Sequence, residues 1–422
     1  MRRILLFGFL VLILGWSSGS LAEEVPALTL DELVETALTN NPEIRADEAR
    51  WQAFVHRARQ AGTFEDPMLM LAIQNALVRD PLAFNRDSMT SKVIGISQMV
   101  PFFGKRELAR RSAELDAETR RWGFEERKIA LELMVRESWY QLFAVDRSLE
   151  IVEKNLQLLD DLAHLAETLY GVGSALQQDV LRAHLERSKM EDMRLALRQQ
   201  RRSLEARLNT LAYRDPDLPI PTLPDAELLP LDMDVAQLEE LAQQHRPLLR
   251  ALRSEVEKTG VARDLALREN YPDFTFSFEY MQREPAMGEE GYDMYSAGIS
   301  FNLPVQRERR RAMVAEADSE GRMARHELAM VRNDIRQGVA DALARLERSR
   351  RQAALYQDGI IPQAGATLDA SLAAYRVGRA EFMNVLDTQM ALFNYERDYF
   401  EAIAEHEMAR VQIEALIGTR LP

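Results

Sequence analysis

The chain of 422 residues contains no cysteine. That excludes disulfides, thiolate metal sites, cysteine nucleophiles and a lipid anchor on an N-terminal cysteine. Histidine is scarce: the six, at positions 56, 164, 184, 245, 326 and 406, include no pair spaced to share one helix face as metal ligands. His406-Glu407 lacks a second histidine four residues on, so the zinc-protease pattern fails. No stretch reaches eighteen consecutive apolar residues, so no membrane-spanning helix is available. If the protein enters a membrane it must do so as a β-barrel, the other structure that satisfies every backbone polar group in lipid. A formal charge of −14 repels nucleic acid, which is excluded as a partner.

Catalytic patterns are equally thin. Lys258-Thr259-Gly260 has no Ser-x-x-Lys beside it, and the one Gly-x-Ser-x-Gly match, Gly15 to Gly19, lacks the strand and helix a nucleophile elbow needs. No phosphate-binding loop is present. The many carboxylates lie on amphipathic helical stretches, where they form a solvated face. The chain is therefore read as no enzyme, with no cofactor and no resident metal site. Of eighteen methionines, Met68 and Met70 share a strand face and Met281, Met287 and Met294 cluster around one hairpin. The reading given to them is flexible packing or lipid-facing filler.

What is present begins at residues 1–22, "MRRILLFGFLVLILGWSSGSLA". Two arginines, an apolar run of eleven residues and a small-residue end predict a secretory signal peptide cleaved after Ala22.

The rest is written twice. "YGVGSALQQDVL" at 170–181 and "YRVGRAEFMNVL" at 375–386 agree at six of twelve positions, at an offset of 205. The same offset carries Leu33 onto Leu238 and Asn41-Pro42 onto Arg246-Pro247. At an offset of 203, Gly95-Ile96-Ser97 falls on Gly298-Ile299-Ser300. A first repeat at 23–213 and a second at 234–418 are thus expected, joined by a proline-rich linker at 214–233 and followed by a short tail at 419–422. Five prolines between 216 and 230 make that linker extended.

Each repeat has the same grammar. A short helix is capped by Thr29 with Glu32 in its first turn, and a second opens on Pro42, a good first helical residue. Two strands follow, at about 67–75 and 92–101 in the first copy and about 272–282 and 294–304 in the second. "FTFSFEY" and "YSAGISFNL" alternate apolar with polar, as strands between lipid and a wet lumen do; "MLMLAI" does not alternate. From Gly104 to Leu169, 66 residues run without proline, which as helix span about 100 Å. Leu149, Val152, Leu156, Leu159, Ala163, Ala166 and Tyr170 step by three and four, a heptad seam. Gly171 and Gly173, and Gly378 in the second copy, end the long helices at tip turns near 169–176 and 374–381, and the chain folds back as a hairpin.

Two copies of helix, strand pair, long helix and Tyr-x-Val-Gly turn resemble the TolC family of outer-membrane efflux channels, with "YRVGRAEFMNVLDTQMALFNYE" the most specific match. "SQMVPFFGKR" at 97–106 resembles the family's heavy-metal branch. The resemblance implies a mainly α chain with four strands, three copies of which form a homotrimer with a shared transmembrane β-barrel in outer-membrane lipid. An α-helical barrel would extend into the periplasm and meet an adaptor protein and an inner-membrane pump. It also implies a gate at the periplasmic tip. Asp387 matches an acidic ring position, and Asn384 stands where the family often has aspartate. Asp179 matches an acidic residue of the first hairpin that pairs across to the second. The usual arginine position holds Ala380, with Arg379 one residue earlier, and Tyr375 matches a tyrosine that holds the closed state. Export of heavy-metal cations is the favoured function. Export of drugs or organic solutes is the nearest alternative, then type I protein secretion, and a periplasmic coiled-coil adaptor or structural protein is the rival outside the class.

Overall fold

In the computed structural model, residues 28–226 and 228–421 are described. The expected signal peptide lies outside them. The first repeat comprises α1 (Leu30–Asn40), α2 (Pro42–Ala61), β1 (Met68–Gln74), β2 (Ser91–Val100), α3 (Lys105–Gly171) and α4 (Gln177–Leu211). The second comprises α5 (Val235–His245), α6 (Pro247–Arg268), β3 (Phe274–Arg283), β4 (Met294–Phe301), α7 (Arg307–Leu355), α8 (Ile361–Arg376) and α9 (Phe382–Ile417). A π-helical segment, Tyr356–Ile360, joins α7 to α8.

The starts of the short helices follow from their caps. Thr29 accepts from Glu32 N at 3.3 Å while Glu32 accepts from Thr29 N at 3.0 Å, a reciprocal box that satisfies two orphan donors. Asp234 and Gln237 repeat it 205 residues later, at 2.8 and 2.9 Å. Asn41 caps α2 through Glu43 N at 2.8 Å and ties it to α4 through Leu211 O at 2.9 Å. Its counterpart Arg246 offers no side-chain cap. There Glu126 of α3 takes over, accepting from Leu248 N at 3.2 Å and pairing with Arg246 at 2.5 Å. A carboxylate suits that helix N-terminus.

Three apolar clusters hold the helices. Leu33, Val135, Leu142, Phe143 and Leu208 join α1, α3 and α4 in the middle of the rod. Val152, Leu159, Met190, Phe382 and Phe393 join both long hairpins nearer the tips. Leu238, Val339, Ile413 and Ile417 join α5, α7 and α9. Within the heptad seam of α3, residues 152 to 166 are buried, whereas Tyr170 is exposed. The proline-rich segment is extended but fixed to the rod: Arg147 donates to Leu223 O and Arg201 to Ile220 O, at 2.8 and 2.9 Å. The buried Asp146 carboxylate accepts from Arg201 at 2.7 Å and from Leu223 N at 3.3 Å.

The four strands form one antiparallel sheet in the order β1-β2-β3-β4. Lys105 seals its base, buried at the start of α3 and 3.0 Å from Asp273, which also accepts from Phe102 N at 2.8 Å. The fold is the expected one: mainly helical, with a small sheet. No helix among the described residues is long and apolar enough to cross a membrane.

Candidate functional site

Both tip turns are Schellman motifs. After α3, Gly173 N donates to Tyr170 O at 2.9 Å and Ser174 N to Leu169 O at 2.8 Å. After α8, Gly378 N donates to Tyr375 O and Arg379 N to Ala374 O, each at 2.9 Å. The motif needs a left-handed residue just past the cap, and Gly173 (φ +76°) and Gly378 (φ +69°) supply it. Gly171 departs from expectation: it is the last residue of α3 in ordinary helical conformation, and Arg376 occupies the same place in the second copy.

Asp179 and Asn384 are equivalent residues of the two repeats, each in the first turn of its returning helix. Asp179 accepts from Leu176 N at 3.4 Å, and Asn384 N donates to Glu381 O at 3.1 Å. Asp387 lies three residues on from Asn384, and both are exposed on α9. Tyr375 is buried against Phe382, ring centroids 5.1 Å apart. Its hydroxyl has no hydrogen-bond partner of good geometry. Burial, with the Asp179 carboxylate beside it, pushes its pKa up to about 12. The tip thus brings Tyr375 and Asp179 together across the two hairpins. Arg379 remains exposed, with no ion pair to Asp179 among the described residues.

The second functional surface is the sheet. Register places Leu69, Leu71, Ile94, Ile96, Phe276, Phe278, Tyr280, Tyr295, Ile299 and Phe301 on one face. Ser97, Thr275, Ser277, Glu279, Ser296 and Ser300 occupy the other. On β2, Ile94 and Ile96 of the apolar face are 47% and 51% exposed, whereas Ser91 and Val93 of the opposite face are 4% and 3%. In a barrel wall between lipid and water the apolar face would be the convex one and the polar face the concave one.

Two features carried weaker sequence signals. Asn155 and Gln389 form a buried polar pair between α3 and α9; Gln389 is marked only by being a polar residue within an apolar stripe. The π segment precedes Pro362, whose missing N–H and helix-interior position were the available signal. Among the described residues no three His, Asp or Glu side chains gather to hold a metal ion.

A duplicated pair of helical hairpins carrying a two-faced antiparallel sheet defines the class of proteins that combine a helical tube with a transmembrane β-barrel. The chain belongs to the outer membrane efflux protein family, whose model matches residues 33–212 and 238–419. The resemblance drawn from the two tip turns therefore holds at family level. The cobalt-zinc-cadmium resistance protein CzcC of Cupriavidus metallidurans is 22% identical over 199 residues, covering 47% of this chain and 44% of CzcC. The outer membrane efflux protein BepC of Brucella suis is 26% identical over 273 residues, covering 63% of this chain and 58% of BepC. The matched stretch thus spans about half the length of these relatives. CusC, solved in connection with folding and transmembrane channel formation, superimposes with a TM-score of 0.81 at 16% identity, over 92% of both chains.

Proposed function

We propose that this protein is the outer-membrane channel subunit of a tripartite efflux system, passively conducting small solutes from a periplasmic adaptor and inner-membrane pump to the exterior. The observation that carries it is the two-faced sheet with its outer edges open. β1 and β4 each pair on one side only, and unpaired edges in lipid are costly. Four strands are too few for a barrel, whose smallest members have about eight. Three copies joined β4 to β1 supply twelve and leave no edge. Beneath, α3 with its 67 residues is a rod of roughly 100 Å, and three pairs of such hairpins make a tube in the periplasm.

At the tip of that tube, Asp387 is read as an acidic ring with Asn384 beside it, and Tyr375 with Asp179 as a contact of the closed state. Heavy-metal cations are the favoured cargo, supported by the match to CzcC. The match to BepC supports a second reading, export of drugs or organic solutes.

Membrane fractionation and mass in detergent test the channel reading. A trimer in the outer-membrane fraction with ion conductance in planar bilayers is expected; a soluble monomer overturns it. A deletion strain screened against metal salts beside a drug panel separates the two cargo readings.

A further inference from the structure

Register sorts the methionines of the sheet. Met68 and Met70 on β1, Met99 on β2, Met281 on β3 and Met294 on β4 all fall on the concave polar face, and the convex face of the four strands carries none. Methionine serving as apolar filler would gather on the convex face or divide between the two. Instead these residues interrupt a row of serines and threonines on the side that water wets, where Met68 and Met294 are 70% and 51% exposed.

Cross-strand pairing arranges them in order. Met99 pairs with Thr275 and Met68 with Ser97 near the helical end. Next, Met70 pairs with Gly95, which pairs with Glu279. One step further, Met281 pairs with Met294. Successive steps along a strand face rise about 7 Å, so thioethers recur from the base of the sheet toward its hairpin end. Glu279 is the one carboxylate on the concave face of the four strands. Gly95 gives it access to Met70: a Cβ on Gly95 would lie 3.1 Å from Glu279 Cγ and 3.2 Å from Met70 Cε.

We propose that the concave face is a path of weak thioether sites for a soft monovalent cation of the Cu(I) or Ag(I) class. Met70 with Glu279 forms the middle site, and Met281 with Met294 the outer one. Thioether sulfur is a soft, uncharged donor that selects such ions, whereas Mg²⁺ and Ca²⁺ take oxygen ligands. Glu279 supplies the compensating charge. Conduction needs several sites, each weak enough to release the ion. Arg283, whose guanidinium lies 3.4 Å from the sulfurs of Met89 and Met294, competes for the outer site with a positive charge and favours release.

The inference rests on the reading that the strands close a pore, and the experiment separates the two. Purified protein is placed in planar bilayers in nitrate electrolyte, and K⁺ conductance is recorded with and without silver nitrate. Ag⁺ binding is measured in detergent alongside. M70L/M281L/M294L removes three sulfurs at nearly constant volume. Wild-type channels are expected to show Ag⁺-dependent interruption of K⁺ current; the variant should conduct K⁺ unchanged while Ag⁺ interruption requires about tenfold more silver. Equal sensitivity of the two overturns the thioether path and leaves the channel standing. A silent bilayer with methionine-dependent Ag⁺ binding keeps the sites and overturns the pore.

Discussion

Gln389 donates from Nε2 to Asn155 Oδ1 at 2.6 Å, joining α9 to α3 inside the apolar cluster that packs the two hairpins together. Both residues are buried. Asn155 Nδ2 turns toward the sulfur of Met190 at 3.3 Å, and Gln389 Oε1 has no partner. Removing one member leaves a buried amide unsatisfied, at a cost of about 1–3 kcal/mol. N155A should therefore lower the thermal midpoint read by circular dichroism, whereas N155L/Q389L, which deletes both polar groups, should recover most of the loss. A double variant no better than the single would show that the pair stabilises the packing of the hairpins.

The tips separate two kinds of glycine. Gly173 and Gly378 hold left-handed backbone, where a side chain costs about 1–2 kcal/mol. Gly171 is helical, and a Cβ there would meet nothing within 4 Å. G173A and G378A should speed amide hydrogen exchange in the neighbouring turns. G171A should slow it, because alanine is better than glycine in a helix by about 0.5–1 kcal/mol.

The repeat was legible because capping residues, prolines and turn glycines are punctuation that does not depend on distant contacts. Thr29 and Asp234, Pro42 and Pro247, Gly173 and Gly378 mark the same boundaries in both copies. The strands of the second copy were legible for the same local reason: Phe276 and Phe278 alternate with Ser277 and Glu279. β1 was placed, but its facing was not legible, because its concave positions hold Met68, Met70 and Ala72, so hydropathy cannot tell its wet face from its dry one. Register can. Resemblance named Asp179 and Tyr375 separately and did not pair them, since nothing local to either residue announces a neighbour on another hairpin.

Tyr375 and Tyr140 both have pKa values pushed up to about 12, by burial first and then by nearby carboxylates, Asp179 for Tyr375 and Glu407 for Tyr140. An unfolded tyrosine ionises near 10. Between those values the unfolded chain has released protons that the folded chain keeps, so stability is intact below about pH 10 and falls as pH rises toward 12. Y375F should reduce that fall by removing one of the two groups. It should cost little stability at pH 7, because the hydroxyl it removes makes no hydrogen bond of good geometry. An unaltered alkaline slope would show that Tyr375 is exposed to solvent in solution.

Asp387 is exposed and has no ion-pair partner among the described residues, so its charge is free to act on whatever passes. If three copies surround an axis, each carboxylate at roughly 8 Å contributes about 0.5 kcal/mol in water, and together they shift the partition of one ion by about tenfold before screening. D387A should therefore raise single-channel conductance by widening the constriction and lower the preference for K⁺ over Cl⁻. D387N separates the two effects, keeping the size and deleting the charge: it should lower the preference at nearly unchanged conductance in high salt, where screening has already removed the electrostatic term. Bilayer recordings of the three proteins at 0.1 and 1 M salt, where the Debye length falls from about 10 to about 3 Å, read both quantities. If selectivity and conductance are the same in all three, Asp387 does not line the narrow part of the pore, and the acidic constriction must be sought elsewhere along the hairpins.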